Sequence, residues 1–91
     1  MFKKIKKTGE FRFSLQPSNG VKKVALAGDF TQWQPVRMRK QKTGEFATDV
    51  VLPDGQHQYK FMVDDVWMTD PENSETMVNE FGTLNSVVSV P

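Results

Sequence analysis

Two tryptophans, Trp33 and Trp67, fall in or beside segments that read as turns, not at inward strand positions. An indole held at a turn offers a flat apolar face, and such faces pack on the C–H faces of sugar rings or on nucleic-acid bases. Lys60, on the outward side of its strand, adds a hydrogen-bond donor beside them. Base stacking usually comes with a basic groove, yet 12 Lys+Arg stand against 11 Asp+Glu, a formal net charge of +1. So even a balance nominates neither nucleic acid nor an anionic membrane as partner. Rings combined with Lys and Asn suit a neutral, hydroxyl-rich polymer. The alternative use of each ring is to cap the end of a sheet.

Other chemistries find less support. Asp64, Asp65, Asp70, Glu72, Glu75 and Glu80 could supply the carboxylate pair of a glycosidase, but they read as solvated acids of a surface loop. The stretch from Asp64 to Glu75 lacks the glycine at the sixth position that a calcium-binding hand requires. With one histidine, His57, and no cysteine, there is no triad, thiolate nucleophile, disulfide or multi-histidine metal site to assemble. His57 reads as a partly buried residue at a sheet end. A chain of 91 residues buries roughly 64% of its extended surface on folding, enough for one modest core without a deep catalytic cleft. The expectation is a non-enzyme that needs no cofactor and no metal.

The elements that must carry these residues are strands. No stretch keeps a helical period, whereas period-2 alternation recurs throughout. Phe11, Phe13 and Leu15 alternate with Arg12, Ser14 and Gln16, and Pro17-Ser18-Asn19-Gly20 closes that strand. A second strand lies within Val21 to Phe30, broken at Gly28-Asp29, with an exposed loop to Pro35. A short basic edge strand follows over Val36 to Lys40. Phe46, Thr48, Val50 and Leu52 share a face, and Pro53-Asp54-Gly55 is a strong turn. Over Gln56 to Val63, His57, Tyr59, Phe61 and Val63 point one way, and Gln58, Lys60 and Met62 the other. Asp64-Asp65 turns the chain back into Val66-Trp67-Met68. Thr69 to Glu80 reads as a long polar loop, Phe81-Gly82-Thr83 as a turn and Leu84 to Val90 as the last strand. This pattern predicts an all-β sandwich of six to eight short antiparallel strands. The lysines at 3, 4, 6 and 7 read as a frayed, solvated arm over residues 1–8. No apolar segment follows them to make a signal peptide, and no run approaches the ~18 apolar residues of a membrane span. The expected setting is the cytoplasm.

Three stretches, taken in order, are familiar: Leu26-Ala27-Gly28-Asp29-Phe30-Thr31-Gln32-Trp33; Leu52 through Asp64 followed by Trp67 and Asp70-Pro71; and Phe81-Gly82-Thr83-Leu84-Asn85-Ser86. The ordered set closely resembles carbohydrate-binding module family 48, which includes the glycogen-binding domain of the AMP-activated protein kinase β-subunit and N-terminal modules of branching and debranching enzymes. The likeness covers about residues 9 to 90. It implies an immunoglobulin-like β-sandwich of the early-set type, with Trp33 and Trp67 as stacking rings. It also implies that Lys60 and Asn85 donate to glucose hydroxyls, with Thr83 beside them. Phe81 stands where kinase-type modules carry a leucine that projects into the curl of the glucan. Asp65 stands where glycine commonly follows the aspartate, in a turn whose two central residues need positive φ.

The expectation is therefore a carbohydrate-binding module over residues 9–91 that binds α-1,4-glucans such as glycogen, starch or maltooligosaccharides. The partner is an α-glucan and, as a second class, an α-glucan-metabolising enzyme, with no nucleic acid and no membrane. The rival is a β-sandwich that docks a partner enzyme or kinase subunit. The end at Pro91 fits either a free-standing module or an excised piece, and the leading methionine with its lysine-rich arm reads as a natural start, so a free-standing module is expected.

Overall fold

In the computed structural model, residues 1–5 and 9–91 are described. In chain order the strands are β1 (Phe2–Lys4), β2 (Glu10–Leu15), β3 (Val24–Gly28), β4 (Val36–Arg37), β5 (Arg39–Lys40), β6 (Phe46–Val51), β7 (Gly55–Val63), β8 (Val66–Met68), β9 (Thr76–Val78) and β10 (Leu84–Val90). They form two antiparallel sheets, β1-β2-β6-β5 and β4-β3-β7-β10-β9, with β8 paired to β7. The molecule is the all-β sandwich expected, with ten strands among the described residues where six to eight were anticipated.

Alternation decides what lies between the sheets. Phe11, Phe13 and Leu15 from β2, Val24 and Leu26 from β3, Tyr59 and Phe61 from β7, and Val88 and Val90 from β10 are all buried in one core. Tyr59 sits at its centre, edge-on to Phe13 at 4.9 Å and to Phe61 at 5.9 Å. Its hydroxyl donates to Asp70 at 2.7 Å. Burial, reinforced by the Asp70 carboxylate and offset in part by the Asn73 amide, pushes the phenol well above its ordinary range.

Four expectations need correction. The arm is not frayed at its start: Phe2 pairs with Phe13 in register, and its ring lies 6.3 Å from Tyr59, edge-on. One apolar ring among the lysines suffices to dock an edge strand, while Lys3 and Lys4 stay in solvent. Residues 6–8 of the arm lie outside the described residues. The strand expected at Val36 to Lys40 is two pieces in different sheets, because Met38 turns into the core between them. The long loop contains β9, which pairs with β10 from Val78↔Leu84 to Thr76↔Ser86. Finally, Asp70 is no solvated acid: it is buried against Tyr59, the Met1 ammonium and, through its backbone N–H, Ser86 Oγ at 2.8 Å.

Strand β7 organises the second sheet. On one edge β3 pairs with it from Gly28↔Tyr59 to Val24↔Val63. On the other edge β10 takes residues 55–59 and β8 takes residues 61–63. Lys60 therefore lies where three strands converge, and Met62 faces Trp67 across the β7–β8 pair. The β7–β8 turn is regular despite Asp65. Asp64 and Asp65 both hold positive φ, 46° and 70°, as a two-residue hairpin with the strands' twist requires. Asp64 offsets the cost by accepting from the backbone N–H of Lys22 at 3.0 Å and of Lys23 at 2.9 Å.

Candidate functional site

A cleft of about 560 Å³ opens on the outer face of the second sheet, within the size range of small-molecule sites. Trp33, Lys60, Trp67, Phe81, Thr83 and Asn85 all line it. The structure thus brings together every residue that the sequence singled out for binding, from four separate segments of chain. Asp29, Gln58, Val78, Asn79 and Glu80 complete the lining.

Trp33 reaches the cleft through a tight local turn. After β3 the chain makes a 3-10 turn, Asp29–Thr31, closed by Trp33 N–H donating to Gly28 O at 2.9 Å. Gln32 and Trp33 both hold positive φ, 53° and 59°, a conformation rare for a bulky residue and typical of strain held at a functional site. Gly28 makes the turn possible by close approach. A Cβ there would lie 2.7 Å from Gln58 O and 2.6 Å from the Phe30 ring. Trp33 is 36% exposed and Trp67, standing on β8, 46%. Both indoles are therefore available to a flat apolar ligand face.

Another part of the lining comes from the β9–β10 hairpin. Asn79 N–H donates to Thr83 O at 2.8 Å and Gly82 N–H to Asn79 O at 3.1 Å, leaving Glu80-Phe81-Gly82 as a three-residue loop. Gly82, at φ 78°, takes the left-handed position that this loop length demands. Phe81 at its tip is 82% exposed. Lys60 Nζ donates to Thr83 Oγ1 at 3.1 Å, tying β7 to the hairpin. Asn85 is buried, 5% exposed, and its amide donates to Gln58 Oε1 at 2.9 Å while accepting from Asn79 at 3.0 Å.

Three contributors escaped the sequence reading. Asn79 anchors the hairpin with its side chain. Gln58 supports Asn85. Asp29 accepts from Gln58 N–H at 2.9 Å and faces His57 Nδ1 at 3.3 Å. For Asn79 the only sequence signal is an Asx residue before an x-x-Gly turn. Gln58 and Asp29 are indistinguishable from solvated polar residues until the register is known. His57 takes the partly buried place expected, its ring edge-on to Phe30 at 6.0 Å.

Fold and cleft together define a small β-sandwich module that presents one concave, aromatic-rimmed face. Residues 11–91 match the family described as the glycogen recognition site of AMP-activated protein kinase, and the chain belongs to that family. It is 34% identical over 73 residues to the pig (Sus scrofa) 5'-AMP-activated protein kinase subunit beta-1, a match covering 80% of this chain and 58% of that relative. To the rat (Rattus norvegicus) beta-1 subunit it is 38% identical over 74 residues, covering 80% and 26%. To the human (Homo sapiens) beta-2 subunit it is 34% identical over 73 residues, covering 80% and 27%. The chain thus spans less than two-thirds of the length of each of these relatives. Its fold is also that of part of a maltogenic amylase from S. marinus, with a TM-score of 0.81 and 23% identity over 100% of this chain and 16% of the amylase.

Proposed function

We propose that this chain is a non-catalytic module that binds α-1,4-glucans, of the glycogen, starch or maltooligosaccharide type. The observation that carries the reading is the convergence of Trp33, Trp67, Lys60, Thr83, Asn85 and Phe81 on one open cleft. The indoles stack on the apolar faces of glucose rings, Lys60, Thr83 and Asn85 bond hydroxyls, and Phe81 reaches into the curl of the polymer. The proposed setting is the cytoplasm.

One observation favours a second reading, docking to a partner enzyme or kinase subunit. Strand β9 is exposed along its whole length, and Val78 on it with Leu84 and Phe81 beside it leave apolar surface at 65%, 45% and 82% exposure. Affinity electrophoresis in native gels with embedded glycogen or amylopectin separates the two readings. A glucan-binding module is retarded by the polymer. Unretarded migration of a chain that circular dichroism reports as folded overturns the glucan reading in favour of docking.

A further inference from the structure

We propose that Asn79 sets the hydrogen-bond polarity of the cleft wall, so that Thr83, Lys60 and Asn85 present donors and read ligand oxygens as acceptors. The proposal rests on the glucan reading for its ligand.

The two ends of a carboxamide have nearly the same shape, so their partners decide which end is oxygen. At Asn79 those partners are unambiguous. The backbone N–H groups of Phe81 and Thr83 point at one end from 2.9 and 3.1 Å, and a backbone N–H can only donate. That end is Oδ1. The other end, Nδ2, donates to Thr83 Oγ1 at 2.7 Å and to Asn85 Oδ1 at 3.0 Å. All four bonding positions of the Asn79 amide are then used.

The consequence runs outward. Thr83 Oγ1 accepts from Asn79 and also from Lys60 Nζ at 3.1 Å. With both lone pairs engaged, the hydroxyl has only its hydrogen left to offer. Asn85, its oxygen held by Asn79, turns Nδ2 toward Gln58 Oε1 at 2.9 Å and keeps one further N–H. Lys60 keeps two. Thr83, Lys60 and Asn85 therefore offer N–H and O–H groups beside the carboxylates of Asp29 and Glu80 that also line the cleft, and a sugar hydroxyl, ring oxygen or glycosidic oxygen meets these three side chains through its lone pairs.

Asn79→Asp tests this. The variant keeps an oxygen for the Phe81 and Thr83 N–H groups but places an acceptor where Nδ2 was. The Thr83 hydroxyl then turns inward and the Asn85 amide reverses. In calorimetric titration with maltoheptaose, affinity should fall about tenfold or more, while the Phe81 and Thr83 amides keep their protection from hydrogen exchange. Unchanged affinity overturns the proposal. So does binding lost together with that protection, which would make Asn79 only a scaffold for the loop.

Two measurements on the unaltered chain stand apart from any folding defect in the variant. Maltotriosides with one hydroxyl replaced by hydrogen or by fluorine distinguish acceptance from donation, since fluorine accepts weakly and cannot donate. At the hydroxyls that meet Lys60, Thr83 and Asn85, deoxygenation lowers affinity and the fluoro sugar should retain more of it. An equal or larger loss with fluorine overturns the donor wall. In the ligand-free chain, both Asn79 side-chain amide protons should be protected in nuclear magnetic resonance spectra, and their free exchange also overturns it. Protected protons in a chain that gives no heat with maltoheptaose support the donor wall and sink the glucan reading instead.

Discussion

A tryptophan at φ 59° is held there by its neighbours. The left-handed region costs an L-residue roughly 1–2 kcal/mol, and Trp33 bears that cost at the rim of the cleft. Trp33→Ala and Trp67→Ala should each weaken maltoheptaose binding by about 1–3 kcal/mol, the scale of aromatic stacking on bases, with melting temperatures shifted by no more than a few degrees. Trp33→Gly relieves the backbone and loses the ring. It should bind as poorly as Trp33→Ala but melt higher, by about 4–8 °C per kcal/mol recovered. Equal melting of the two variants would show that the turn is unstrained. Beneath the cleft, Tyr59 is the only tyrosine of the chain, so phenolate absorbance reports on it alone. Its native pKa lies above the ordinary value, and the unfolded chain loses the proton near pH ~10. Above that pH the native state binds more protons than the unfolded one, so stability falls by up to about 1.4 kcal/mol per pH unit. The phenolate signal should rise together with the loss of tertiary circular dichroism. A native chain that ionises near pH ~10 would mean that the ring is hydrated.

At the scale of elements, the β3–Trp33 turn depends on one missing methyl group. Gly28 is extended, so φ does not require glycine there; the Gln58 carbonyl does. Gly28→Ala should cost about 1–3 kcal/mol by overpacking and should weaken glucan binding beyond what the stability loss explains, because β7 and the turn are pushed apart. Calorimetric titration well below the melting temperature separates the two effects. The strands most legible in the sequence were those with one face in the core. Alternation placed β2, β6 and β7 with their faces correctly assigned, since burying Phe11, Phe13, Tyr59 and Phe61 leaves one choice of register, and it placed β10 by its extent alone. What escaped was short or lay on an edge. β4 and β5 have two residues each, too few for a period, and Met38 between them is the one sign of a crossing between sheets. β9 is exposed throughout, so no burial pattern marks it. Asp70 looked like any loop acid because its partners, Tyr59 and Ser86, are 11 and 16 residues away. Of the cleft, the rings and Lys60 were legible from turns and alternation, and the rest came through the family likeness. Asn79 and Gln58 act through geometry that no spacing encodes.

For the whole molecule, near-neutral charge gives the salt response. A polyanion is held by counterion release, and six or more phosphate contacts lose about a thousandfold in affinity between 50 and 200 mM salt. A neutral glucan on stacked rings has no such contribution, so maltooligosaccharide affinity should change less than about threefold over that range. A steep fall would identify an anionic partner. The wall that faces the rings is also separable from the sandwich that carries it. The hairpin from Asn79 to Asn85 closes on itself through one side chain, and Lys60 and Gln58 are its side-chain anchors to β7. None of the residues at its tip contributes to the core. It is a cassette in the sense of a protein engineer or of natural selection. Residues 80–82 can be exchanged for other tips, changing which sugar is grasped, while the Asn79 clasp and the buried sheet keep the graft in place.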